Sequence, residues 1–110
     1  MNQETFDKYT RRLLTKATQV RHAKRSEYCA EEDRLSNFRK AAHVQDTSIE
    51  GAISGMMAKH TVSIYDMVNG EFETFDPNAP YPIELWEEKI IDNINYLILL
   101  YAAVRESKDG

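Results

Sequence analysis

The chain of 110 residues has little cysteine, proline or glycine, and it has no long apolar run. Its single cysteine, Cys29, excludes a disulfide framework or a thiolate metal cluster within one chain, so a reducing, cytoplasmic setting is expected. The four glycines do not have the spacing of a phosphate-binding loop. The longest apolar run, Tyr96 to Val104, is shorter than the roughly 20 residues that a bilayer requires. We expect no membrane span, no secretory signal in the polar start, and a single domain over residues 1–110.

Charge is distributed unevenly, although the formal net charge is only −4. Between Lys8 and Arg25 there are seven basic residues and no acidic one, whereas between Asp66 and Asp92 there are eight acidic residues and one basic residue, Lys89. The net charge argues against a nucleic-acid partner. The basic segment is by default a solvated helix face. The alternatives are contact with phosphate, or docking onto the chain's own acidic segment.

Apolar residues recur at helical spacing in four segments, and no segment alternates with the period of a strand. These segments are approximately residues 3–25, 32–44, 48–68 and 82–107. Before the third segment Asp46, Thr47 and Ser48 are all N-cap residue types, and Thr47 and Glu50 have the spacing of a capping box. Asn69-Gly70 is a stop signal after it. The sequence therefore predicts an all-α fold, a helical bundle of three long helices and one short helix.

The first and last helices carry apolar stripes that we expect to face the core. On the first helix the stripe is Phe6, Tyr9, Leu13, Leu14, Ala17 and Val20. On the last helix it is Trp86, Ile90, Ile94, Leu97, Tyr101 and Val104. Between Ile94 and Val104 the last helix is apolar nearly all round, which favours a central position or an oligomer interface. Because a chain of this size buries limited surface alone, we expect a homo-oligomer.

Glu88 and Asp92 are four residues apart on the last helix, so both can point at one cation. Hard ions such as Mg²⁺ take carboxylate oxygens together with water and phosphate oxygens. Asp92 lies among isoleucines, where an unpaired carboxylate costs free energy. The alternative is a solvated acidic first turn that interacts favourably with the helix dipole.

Two further polar pairs are candidates. Asp33 and Asn37 share a face of the second helix and both offer oxygen ligands, although an acidic first turn explains Asp33 equally well. The position of Asn37 inside the helix has no such explanation, because asparagine has no helix-propensity advantage there. His60 lies on the apolar stripe of the third helix beside Lys59. It is either a satisfied core histidine or, with Lys59, a contact for an anionic ligand held by the metal.

Three segments together resemble a family of small phage and prophage proteins related to nucleotide-modification-associated domains. The segments are Asp33-Arg34-Leu35-Ser36-Asn37-Phe38, Lys59-His60 and the stretch WEEKIIDNINY over residues 86–96. A more distant similarity is to the all-α nucleoside triphosphate pyrophosphohydrolases of the MazG and dimeric dUTPase type, which hold Mg²⁺ with acidic residues on two helices. Their Glu-x-x-Asp motif is matched at Asp92. Lys89 stands where the Glu would be, and Glu88 is the nearest acid.

The resemblance implies a phage-type nucleotide-binding protein in the cytoplasm of an infected or lysogenic bacterium, with Mg²⁺-dependent pyrophosphohydrolysis as its reaction if it is an enzyme. In this interpretation Asp33, Glu88 and Asp92 hold Mg²⁺, and Glu88 and Asp92 carry catalysis. The substrate contacts are Arg34, Asn37, Lys59, His60 and Asn95. The alternatives are a non-enzymatic phage accessory protein that binds a host defence protein or sequesters a signalling nucleotide, and a structural oligomer.

Overall fold

The computed structural model describes residues 1–25, 33–74, 76 and 78–109. Over these residues the chain is all-α, as predicted, and contains no β-strand. Its helices are α1 (Gln3–Ala23), α2 (Ser36–Gln45), α3 (Ile49–Val68) and α4 (Ile83–Asp109). None of the described helices is both long and apolar enough to cross a membrane. The break predicted near residues 26–31 lies outside the described residues.

Local signals in the sequence set both ends of α3. Its N-cap is Ser48, whose side chain accepts a hydrogen bond from the backbone N–H of Gly51 at 3.0 Å. Ser48 is one of the three predicted N-cap candidates, whereas the capping box predicted at Thr47 is wrong because Thr47 is not the N-cap. At the other end Asn69 is the C-cap and Gly70 has a φ of 71°, as the Asn-Gly stop signal predicts.

The second helix begins at Ser36, later than the predicted start near residue 32. The side chain of Asp33 accepts a hydrogen bond from the backbone N–H of Leu35 at 3.1 Å, and its backbone carbonyl accepts one from Ser36 at 3.1 Å. This local turn competes with helical geometry. Asp33 therefore precedes the helix, and the prediction that it shares a helix face with Asn37 is wrong.

The apolar core lies between α2, α3 and α4. Phe38 meets Tyr96 edge to face, with ring centroids 6.4 Å apart. Ile53, in the second turn of α3, is completely buried. The buried members of the cluster are Leu35, Phe38, Ile53, Leu99 and Ala103.

The buried face of α4 differs from the predicted stripe. The helix buries a row at i, i+4 spacing, with Asp92 beside it. Leu97 and Tyr101, which the sequence placed in the core, are 53% and 65% exposed. Because this part of α4 is apolar on every face, its periodicity cannot select the one that packs. The buried row is Ile91, Asn95, Leu99 and Ala103.

Among the described helices, α1 packs against α4 alone. Its contacts advance in the same direction along both helices, from Lys16 and Glu87 to Arg21 and Asn95. Ala17 is the only buried residue of α1. The radius of gyration is 16.2 Å, compared with about 13 Å for a compact domain of this length. Because α1 packs against one helix only, three large apolar residues of its predicted stripe are more than half exposed: Phe6, Tyr9 and Leu14.

Candidate functional site

Asp92 lies where α1 and α3 both meet α4, and its side chain is only 9% exposed. Its Oδ1 is 3.4 Å from Nζ of Lys24, the C-cap of α1, and its Oδ2 is 3.4 Å from Nδ1 of His60 on α3. Burying a carboxylate costs free energy unless charged or polar partners compensate. These two neighbours explain how an aspartate can be buried in an isoleucine-rich segment.

Asn95, three residues further along α4, is completely buried. Its side-chain oxygen accepts a hydrogen bond from Nη1 of Arg21 at 2.9 Å, and its amide donates to the backbone carbonyl of Ala17 at 3.1 Å. The small side chain of Ala17 allows the α1 backbone to approach α4 this closely. The oxygen and the NH₂ group of the Asn95 amide thus both find hydrogen-bond partners on α1. These two bonds fix the register of the two helices.

His60 is stacked on Tyr96, with ring centroids 5.2 Å apart and an interplanar angle of 28°. Its side chain is 15% exposed. Its Nδ1 is buried and has no hydrogen-bond partner among the described residues, because the contact with Asp92 lacks hydrogen-bond geometry. A buried polar atom without such a bond is uncommon in folded proteins. We refer to His60, Asp92, Asn95, Arg21 and Lys24 as the His60 cluster.

The surroundings of His60 favour the neutral imidazole. Burial is the main cause that lowers its pKa below the usual 6.5; Asp92 acts in the opposite direction, and the charges of Lys59, Lys89 and Lys24 add to the lowering. In the unfolded chain the same group takes up its proton near pH 6.5. The contribution of His60 to stability is therefore fully present above that pH, and it is lost as the pH falls toward the lower pKa of the folded state.

The surroundings of the His60 cluster carry more positive charge than the acidic sequence of α4 suggests. Three lysines from three different parts of the chain act on the His60 ring, and Asp92 is the acid within the cluster. Lys89 stands over the ring of Phe72, 5.3 Å from its centroid. The arrangement combines a neutral imidazole with surrounding ammonium groups, which suits an anionic ligand.

A second contact between α1 and α4 lies at Glu87. Lys16 donates a hydrogen bond to its carboxylate, and Arg12 is 3.8 Å away. The Lys16 bond lowers the pKa of Glu87. The basic segment therefore docks onto the chain's own acidic segment at Glu87 and Asp92, one of the alternatives that the charge asymmetry left open.

The structure brings together only part of the predicted site. His60, Asp92 and Asn95 belong to one cluster. Lys59 adjoins His60 on α3 and is exposed, and Glu88 is exposed one turn before Asp92. Glu88 therefore does not share the buried face of Asp92, because α1 and α3 approach the helix at Asp92 and Asn95.

The predicted residues around α2 belong to a different cluster. Arg39 pairs with Asp33 at 2.8 Å and forms two hydrogen bonds of 2.7 Å with the carboxylate of Glu106. The Arg39 guanidinium lowers the pKa of both carboxyl groups. Arg34 is exposed, and Asn37 is half-buried. This cluster ties the start of α2 to the end of α4.

The described residues do not form a Mg²⁺ site by themselves. Asp33 is engaged by Arg39, whereas Asp92 faces Lys24 and His60 rather than a second carboxylate. Among these residues, no three His, Cys, Asp or Glu side chains form a group that could hold a metal. Mg²⁺ stays a prediction, and an ion bound at Asp92 would need phosphate oxygens from a ligand to complete its coordination.

Sequence reasoning missed Arg21, Lys24 and Tyr96. The helical spacing of residues 17, 21 and 24 places Arg21 and Lys24 on the same face of α1 as the small residue Ala17. That spacing is the signal by which these two could have been found. Tyr96 carried no signal, since it stands in an apolar run.

The chain was also compared with known proteins. No model of a protein family, no curated protein and no solved structure matches it.

Proposed function

We propose that the chain binds a small phosphorylated ligand, a nucleotide, at the solvent-facing edge of the His60 cluster. The observation that carries the proposal is the buried Nδ1 of His60, which lacks a hydrogen-bond partner among the described residues. Lys59 and Lys24 approach this ring from α3 and α1. Their ammonium groups would bind phosphate oxygens as point charges.

The two buried polar residues of α4 have distinct roles in this proposal. Asn95 holds α1 in register and so places Lys24, whereas Asp92 connects Lys24 with His60. An anionic ligand would favour the protonated imidazole, whose buried Nδ1–H would then donate to the Asp92 carboxylate, 3.4 Å away. Mg²⁺ would accompany a triphosphate, with Asp92 and Glu88 as the nearest carboxylates on α4. The nucleotide class and any hydrolysis come from the sequence resemblance; the geometry supports an anion.

Thermal denaturation with ATP, dTTP or tripolyphosphate, each with and without Mg²⁺, tests the proposal. A ligand present at one hundred times its Kd adds about 2.7 kcal/mol to the stability of the protein. For a domain of this size the melting temperature then rises by roughly 10 °C. Lys59→Glu should abolish most of that rise, because the exposed lysine contributes to binding and little to the fold. Pyrophosphate release in the same mixtures reports the hydrolysis that the resemblance implies.

The matched control is Lys40→Glu, which reverses the same charge at an exposed position on α2. This variant should keep the full ligand-induced rise. If none of the three ligands stabilises the protein at low salt, or if both lysine variants respond equally, the phosphate proposal is wrong.

We also propose that the chain self-associates through the second half of α4. Leu97, Ile98 and Tyr101 are 53%, 41% and 65% exposed there, at the three- and four-residue spacing of a helix-packing stripe. Light scattering should return a mass above the 12.8 kDa of one chain. Leu97→Glu should restore the monomer, whereas Val62→Glu, at an equally exposed apolar site on α3, should not. A wild-type monomer at micromolar concentration would contradict the proposal.

A further inference from the structure

A groove of ≈ 490 Å³ separates the first half of α1 from the first turns of α4. This volume lies within the range of about 300–1,000 Å³ that is typical of binding pockets. The groove shares no residue with the His60 cluster. Its walls are aliphatic and aromatic side chains from both helices: Tyr9, Leu13, Ile83, Trp86 and Ile90.

The rim of this groove is basic. Lys8 and Arg12 line it from α1, and Arg12 is 62% exposed. Glu87 also lines the groove, where its carboxylate accepts a hydrogen bond from Lys16 and lies 3.8 Å from Nε of Arg12. This one carboxylate is outnumbered by Lys8, Arg12 and Lys16, so the net charge here is positive. From Lys8 to Arg25 the sequence offers no acidic residue that could balance the rim. An occupant should therefore bring negative charge as well as apolar surface.

The apolar surface continues beyond the groove. Phe6 and Tyr9 on α1 and Ile83 on α4 are 56%, 54% and 61% exposed. A compact ligand would leave this extension uncovered, whereas a peptide segment can place successive apolar side chains along it. Trp86 lies in the wall and is half-buried, and tryptophan is enriched among the residues that dominate the binding energy of protein interfaces.

From these observations we infer that the groove between α1 and α4 is a docking site for a short acidic segment of a partner protein. One or two large apolar side chains of that segment enter the groove between Leu13 and Trp86. Its carboxylates pair with Lys8 and Arg12 on the rim. This site is independent of the phosphate site, so either proposal can fail without the other.

Trp86 is the only tryptophan of the chain, and its fluorescence therefore reports directly on the groove. We would select binders from a random short-peptide display library on the wild-type protein and titrate the enriched peptide against Trp86 emission. We expect enriched peptides that combine aspartate or glutamate with leucine, phenylalanine or tryptophan. A tryptophan-free version of the peptide keeps the signal specific to Trp86.

Two exposed positions test where the peptide binds. Ile83→Ser and Arg12→Glu should each weaken its binding by roughly tenfold, the factor that corresponds to about 1.4 kcal/mol. The controls are Val62→Ser and Arg105→Glu, which likewise remove an aliphatic side chain and reverse a positive charge, at exposed positions outside the groove. They should bind with unchanged affinity.

Three results would overturn the inference. The first is that no peptide is enriched, or that the enriched peptides are basic. The second is that the groove variants bind as tightly as the controls. The third is that oligodeoxythymidine or phosphatidylglycerol vesicles change Trp86 emission more strongly than the peptide, which would assign the groove to nucleic acid or to a membrane surface.

Discussion

Replacement of Asn95 with alanine is expected to lower the free energy of unfolding by about 3 kcal/mol. The variant loses the hydrogen bond from the Arg21 guanidinium and the bond to the Ala17 carbonyl, and it leaves a gap at a completely buried position. Because both bonds join α1 to α4, the loss should fall on the attachment of α1. Urea denaturation followed by far-ultraviolet circular dichroism measures the change.

Asn93→Ala is the matched control on the same helix. Asn93 is half-buried, accepts a hydrogen bond from Thr61 at 2.9 Å and donates to the backbone carbonyl of Lys89 at 2.9 Å. Its removal should cost about 1 kcal/mol, the usual net value of a neutral side-chain hydrogen bond. Equal losses for the two variants would show that Asn95 has no special part in holding α1.

Asp92→Ala should cost about 2 kcal/mol at pH 8. The change removes the negative charge that faces Lys24 and His60. Breaking a fully buried ion pair costs more, but the Lys24 side chain is 39% exposed and can regain water. Asp92→Asn keeps the shape without the charge and should be destabilised by about half as much. Chemical denaturation at pH 8 gives both values.

Glu88→Ala provides the comparison for Asp92, because it removes an exposed carboxylate one turn earlier on α4. A surface substitution of this kind should change stability by no more than about 0.5 kcal/mol. A gain in stability for Asp92→Asn would contradict the expectation. It would mean that Lys24 and His60 do not compensate the carboxylate, and it would favour a cation as the missing partner.

Much of the fold follows from local signals. Apolar spacing located the helices, and Asn69-Gly70 marked the end of α3, because both patterns act within a few residues. The start of α2 could not be predicted in the same way, since the turn at Asp33 depends on the local competition between side chain and backbone. The packed face of α4 could not be predicted either, because apolar side chains occupy nearly all sides of that helix between Ile94 and Val104.

The candidate site was likewise predictable only in part: local sequence identified some of its residues but not their partners. Asp92 and Asn95 were identified from sequence because a polar residue among isoleucines needs a compensating partner. The partners themselves could not be identified. Lys24 is separated from Asp92 by 68 residues, and Arg21 from Asn95 by 74. Within α1 only the helical register distinguishes these two from the other basic residues, and that register is set by contacts with α4.

The way α1 is attached makes it the part of the molecule most sensitive to ionic strength. It meets α4 largely through charged and polar side chains around Ala17, whereas α2, α3 and α4 share an apolar core. Salt screens interactions between exposed charges, with a Debye length of about 8 Å under physiological conditions, but it does not weaken apolar burial in this way. Five of the chain's 14 lysine and arginine residues therefore lie on the helix that dilute buffer holds most firmly and concentrated salt releases first.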